Sequence, residues 1–265
     1  MILTNNFVIY PLICGIGIAL AMCPIGCVVL WKRMTFLGDA IAHSATLGVI
    51  LGIVLGVNTT YTILFVSLLF GLVVLYLNKH HTHDTLITII SHGFLATGLL
   101  IISVIKYVRI DIMSYLFGDL LMTDMFDIIS IILLTISILA WLYFRWEALL
   151  SAIMNEDLAM VEGINTKALE LEFMLIMATL VSFSIKIVGI LLISSILVIP
   201  AASARNLSHT PKQMVLYATI FGVISVISGI LLSVIFDMPS GPAIVISAIC
   251  IFASSLLLKL LFYTK

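Results

Sequence analysis

The chain has 265 residues, 63% of them hydrophobic and 9% charged, with a mean hydropathy of +1.31 and a formal net charge of −1. Soluble domains are about 45–50% apolar and about 25% charged, so so few charges cannot cover a water-soluble fold of this length. The near-neutral balance, without an extended basic face, excludes nucleic acid as a partner.

Recurring apolar runs long enough to cross a hydrocarbon core about 30 Å thick specify an all-α, polytopic transmembrane helix bundle forming a single domain over residues 1–265. Apolar length, Gly/Pro punctuation and charge predict spans at 7–30, 35–57, 60–77, 85–106, 125–144, 170–185, 187–204, 213–236 and 243–262. The sixth and seventh are divided only around Lys186 and Gly189. They read as two short helices or as a helix and a re-entrant segment, which gives nine spans or eight.

No basic residue precedes the first span, so it reads as a retained helix rather than a signal peptide. Cys14, Cys23, Cys27 and Cys250 all lie in apolar segments, where no disulfide framework is needed. Cys23 and Cys27, four apart, could offer a soft metal two thiols from one helix face. Small apolar packing is the reading favoured for them.

Lys and Arg in short loops favour the cytoplasm, which places the 145–172 loop inside and, with nine spans, the N-terminus outside; with eight only the loop's placement stands. The outer loop 107–124, with Asp111, Asp119 and Asp124, reads as a partly folded segment. On the inner side, 151–163 reads as a short amphipathic helix stopped by Gly163, and a helix lying on that surface implies a docking partner. The sequence contains no Gly-x-x-x-x-Gly-Lys-Ser/Thr phosphate loop, so any ATP-driven step needs another polypeptide. Neither a Gly-x-Ser-x-Gly elbow nor a His-Glu-x-x-His pattern occurs, which leaves intramembrane hydrolysis without support.

Ionisable groups in a membrane span are expensive and usually face a bundle interior or a wet cavity. Asp39 and His43, in Gly38-Asp39-Ala40-Ile41-Ala42-His43-Ser44, are four apart and share one helix face, so a carboxylate and an imidazole can converge on one cation. The competing reading pairs Asp39 with Lys32 or Arg33 and His43 with a backbone carbonyl. His92, in Ser91-His92-Gly93, is a further metal candidate or else an interhelical hydrogen-bond donor. The tract Lys79-His80-His81-Thr82-His83-Asp84 could catch metal or be a solvated loop, and the second is favoured. Pro200, near the end of the seventh span, is read as a gate element or a kink. The segment 237–242 reads as a tight outer turn.

Six segments, in order across nearly the whole chain, resemble the family of ATP-binding-cassette permeases that import zinc, manganese and iron. They are 31–44, Tyr115-Leu116-Phe117-Gly118-Asp119, Asn155-Glu156-Asp157-Leu158-Ala159 with Gly163, Val188-Gly189-Ile190-Leu191-Leu192, Ile199-Pro200-Ala201-Ala202 through Arg205, and Pro239-Ser240-Gly241-Pro242. The Asn155 to Ala159 spelling is closest to the zinc branch.

The resemblance implies a multi-pass permease of the bacterial inner membrane, not itself an enzyme, that dimerises around one pathway. Its implied partners are a second copy, cytoplasmic ATP-binding subunits, an extracytoplasmic metal-binding protein and the lipid bilayer. It implies no permanently bound cofactor, with Zn2+, or alternatively Mn2+ or Fe2+, as the transported ion. Asp39 and His43 fall where the family's metal pathway runs, and Asn155, Glu156, Asp157, Leu158, Ala159 and Gly163 fall on its coupling helix. Cys23, Cys27 and the His80–His83 tract are departures from the pattern, and their thiols and imidazoles suit zinc better than manganese. On this reading ATP turnover moves the coupling helix and alternately exposes the Asp39/His43 site, which requires His43 neutral and Asp39 ionised to bind metal. An ion-coupled secondary carrier is the alternative, and it predicts inverted repeats that the sequence does not show.

Overall fold

The computed structural model describes residues 6–77, 83–104, 118 and 123–263, and its regular structure is helical. In chain order the helices are α1 (Asn6–Trp31), α2 (Leu37–Leu55), α3 (Thr59–Leu77), α4 (His83–Val104), α5 (Met125–Met154), α6 (Glu156–Val161), α7 (Thr166–Val188), α8 (Ile190–Leu207), α9 (Pro211–Phe236) and α10 (Ser240–Tyr263). Among the described residues eight of these, all but α6 and α8, are long and apolar enough to cross a membrane. The protein is a multi-pass transmembrane helix bundle.

The division that the sequence left open falls at Gly189. Its φ of 85° and ψ of 157° belong to a region open essentially to glycine alone, so the chain leaves α7 at Val188 and restarts as α8. With 18 residues α8 is shorter than the other long helices, and among the described residues it is not counted with the eight helices long and apolar enough to cross a membrane. Other boundaries move for local reasons. The fifth span runs ten residues beyond its predicted end at 144, to Met154, because nothing before Asn155 interrupts helical bonding. α10 begins at Ser240, inside the expected turn; Pro242 is tolerated there because first-turn N–H groups have no helical acceptor. Thr210 caps α9, its hydroxyl accepting from the Gln213 N–H at 3.3 Å, and Pro211 opens the helix.

The helices form two compact units. The first holds α1, the start of α5, the end of α7, and α8 to α10. There α1 packs on α8 and α9, and α10 packs on α8 and α9. Burial covers 78% of the α1 span but 22% of the α10 span, so α1 is a core helix, apolar all round. The outer face of α10, with Ile246, Leu257 and Leu261, is exposed for lipid. Lipid is as apolar as these side chains, so the contacts inside hold by close packing rather than by a hydrophobic gain. Gly26 shows how close: a Cβ there would overlap the carbonyl of Leu197 on α8.

The second unit holds α2 to α4, the remainder of α5, α6 and most of α7. Within it α2 packs against both α3 and α4. Gly38, Ala40, Ala42, Ser44, Ala45 and Gly48 are all buried in α2, and such small residues let neighbouring backbones approach. Phe70 of α3 meets Phe94 of α4 edge to face, with centroids 5.8 Å apart.

Candidate functional site

Asp39 lies in the first turn of α2 and is half-buried. A carboxylate there is favoured by the partial positive charge of the helix N-terminus, an anchorage that the periodicity of the span does not reveal. His43 follows one turn later on the same face, also half-buried. The side chain brought to it comes from another helix. His92 of α4 stands with its ring centroid 6.4 Å from that of His43, the planes tilted by 40°.

The His92 ring has a defined orientation. Its Nδ1 lies 2.8 Å from the carbonyl oxygen of Thr88; a carbonyl can only accept, so Nδ1 carries the proton and Nε2 is the atom able to bind a metal. The Ser91 hydroxyl also donates to this carbonyl, at 2.9 Å. Asp39 does not join the two rings in a closed set: among the described residues no group of three or more His, Cys, Asp or Glu has the spacing of a metal site. What the unit contains is a pair of imidazoles with a carboxylate one turn away.

His92 is exposed in this chain. An imidazole turned to hydrocarbon is expensive, so a polar side chain in an apolar span faces water or protein. Thr85 and Thr88 are exposed too and lie on the same face of α4, three and four residues apart and ending at His92.

The loop side of this unit is equally defined. α5 ends at Met154, and Asn155 takes an extended conformation (φ −157°, ψ 112°) while its Oδ1 accepts from the N–H groups of Asp157 and Leu158 at 3.0 and 3.2 Å. The single helix expected over 151–163 is therefore two pieces, since Asn155 caps a new helix, α6. Glu156 and Asp157 occupy its first turn. Ala159 is buried, whereas Leu158, Met160 and Val161 are exposed. Gly163 follows with a φ of 85°.

Three residues that the sequence reading left without a role fasten the helices flanking α6. Arg145 of α5 grips Glu172 of α7 through both carboxylate oxygens, Nη2 to Oε1 at 2.5 Å and Nε to Oε2 at 3.0 Å. Trp141 Nε1 donates to Oε2 at 2.8 Å. Beside them opens a cleft of about 340 Å³ lined in part by Arg145, Gly163, Asn165 and Glu172. In the first unit, Lys186 Nζ lies 2.9 Å from both carboxylate oxygens of Asp127. Only the spacing of acids in first helical turns and bases in last turns could have hinted at that pair.

Pro200 lies inside α8, which continues to Leu207, three residues past the expected end at 204. The Cys23 thiol donates to the carbonyl of Ile196 at 3.7 Å, and the Cys27 thiol to that of Met214 at 3.8 Å. Residues 79–82 of the histidine tract and most of 107–124, including Asp111 and Asp119, lie outside the described residues.

The chain is 40% identical over 252 residues to the high-affinity zinc uptake system membrane protein ZnuB of Haemophilus influenzae, covering 94% of this chain and 97% of that protein. It is 30% identical over 252 residues to the manganese transport system membrane protein MntC of Listeria monocytogenes, covering 93% and 89%. Among solved structures, PsaBC from Streptococcus pneumoniae in complex with Fab superposes with a TM-score of 0.84 at 27% identity, covering 95% of this chain and 91% of that one. Residues 4–259 match the ABC 3 transport family, and the chain belongs to that family.

Proposed function

We propose that this chain is the permease of an ATP-driven zinc importer in the bacterial cytoplasmic membrane, two copies enclosing one metal pathway. The observation that carries the choice of metal is the contrast in likeness: 40% identity to a zinc uptake permease against 30% to a manganese permease over equal lengths. The exposed His92 on α4 supports the second copy, because an imidazole in an apolar span needs a covering other than hydrocarbon.

Zinc delivered by an extracytoplasmic binding protein passes Asp39, His43 and His92. ATP is hydrolysed in a separate cytoplasmic chain that docks on α6. Support for that docking is physical: a capped, acidic helix end presents exposed Leu158, Met160 and Val161 beside a cleft able to receive a side chain. Of the residues expected at the coupling surface, Glu156 to Ala159 are in α6, Asn155 is its N-cap and Gly163 comes two residues after its last residue, Val161.

Uptake into proteoliposomes containing the complete complex, with zinc, manganese and iron compared at equal free concentration, tests the reading. Zinc accumulation dependent on ATP is expected to exceed that of the other two. Preferential accumulation of manganese or iron would overturn the assignment of the metal, and zinc uptake that persists without any ATPase subunit would overturn the assignment of the engine.

A further inference from the structure

We infer that His92 and His43 together form a two-imidazole transit site, and that His92 is the residue by which the pathway selects zinc over manganese. This rests on the zinc-importer reading above and adds a selecting residue to it. Two imidazoles holding one tetrahedral zinc at roughly 2 Å per bond have ring centroids about 5 Å apart. The observed 6.4 Å is about 1 Å wider, a gap that a small rotation of either side chain closes.

The chemistry of the pair favours one metal. Imidazole nitrogen suits zinc, whereas manganese prefers carboxylate, carbonyl and water oxygens. The Thr88 carbonyl, by holding the proton on Nδ1, keeps His92 in the tautomer that presents Nε2 to a metal. Asp39, one turn below His43, offers oxygen to either ion and so does not discriminate.

The decisive variants are His92→Asn and His92→Gln in the full complex. Asn keeps an amide N–H near the position of Nδ1, able to donate to Thr88, but loses the Nε2 ligand; Gln puts an amide oxygen near the position of Nε2. Zinc uptake is expected to fall about tenfold or more in His92→Asn, the order seen when a ligand's support is removed. Manganese uptake should change little, and His92→Gln should recover part of the zinc rate. His43→Ala combined with His92→Asn should lose scarcely more than either alone, because both act on one ion.

Wild-type zinc uptake and an unchanged zinc-to-manganese ratio in His92→Asn would overturn the inference, as would fully additive losses in the double variant. Equal losses for both metals at normal complex yield would also overturn it, by making His92 a packing residue. A wild-type complex that does not transport zinc would instead remove the underlying reading, so the two failures are distinguishable.

Discussion

The thiol of Cys23 donates to the carbonyl oxygen of Ile196, and that carbonyl is the one Pro200 deprives of its helical donor, four residues on. A proline in α8 is thus accommodated by a cysteine in α1, where Gly26 has already brought the two backbones together. An S–H is a weak donor, yet the alternative is an unsatisfied acceptor in a buried, apolar position.

Cys23→Ala should therefore lower the stability of the purified protein by about 1–2 kcal/mol, combining the unpaired carbonyl with lost packing against Gly222. Pro200→Ala restores an N–H to Ile196 and should shrink that penalty. Thermal unfolding of the two single variants and the double variant measures the coupling. Strictly additive shifts would show that the thiol is only filling space.

Glu172 accepts from Arg145 and Trp141 together, clamping α5 to α7 on either side of α6. Exposed ion pairs contribute about 1 kcal/mol or less, so Glu172→Ala should leave the protein folded. Its larger effect is expected on energy transmission. With the flanking helices no longer fastened, ATP hydrolysed per zinc transported should rise several-fold while the basal hydrolysis rate is kept. Glu172→Gln should fall between, since it keeps an acceptor and loses the charge-assisted bond. An unchanged ratio of hydrolysis to transport in Glu172→Ala would mean that the clamp carries no motion.

The bundle itself was legible because apolar length is a direct requirement of the bilayer, and each of the eight long helices lies on a predicted span. Asp39 and His43 were legible as a pair because four residues on a helix return to the same face. The approach of His92 to His43 was not, because it depends on how closely α2 and α4 pack, and 49 residues separate the two rings in sequence. For the Cys23 thiol the sequence favours small apolar packing. Its hydrogen bond becomes apparent only once α1 is known to lie against the residue four before Pro200. The split at Asn155 was missed because amphipathic spacing continues across it, while the break comes from one side chain capping two amides.

Asn155 is expected to matter for docking more than for the fold. Asn155→Ala removes both bonds from its Oδ1 and should cost about 1 kcal/mol in a helix of only six residues, enough to fray it. Amide exchange across 156–161 should accelerate, and less ATPase subunit should copurify. Asn155→Asp keeps an acceptor at the cap and should restore both. Normal copurification with a frayed α6 would show that the partner binds elsewhere.

Asp39→Asn and His43→Ala should each abolish most zinc-dependent growth while the protein accumulates normally in the membrane. The structural share of each substitution is small. Asp39→Asn gives up a carboxylate in the first turn of α2, a placement that contributes about 0.3–1 kcal/mol, and His43 is half-buried rather than a core side chain. The functional share is larger, because each removes one of the few metal-binding atoms in this part of the unit. The two variants should also differ in kind. Asp39→Asn leaves the imidazole pair intact and should weaken zinc and manganese uptake alike, whereas His43→Ala should fall more heavily on zinc. Rates of uptake for both metals, measured at matched protein levels, separate these outcomes, and wild-type growth in both variants would remove Asp39 and His43 from the pathway.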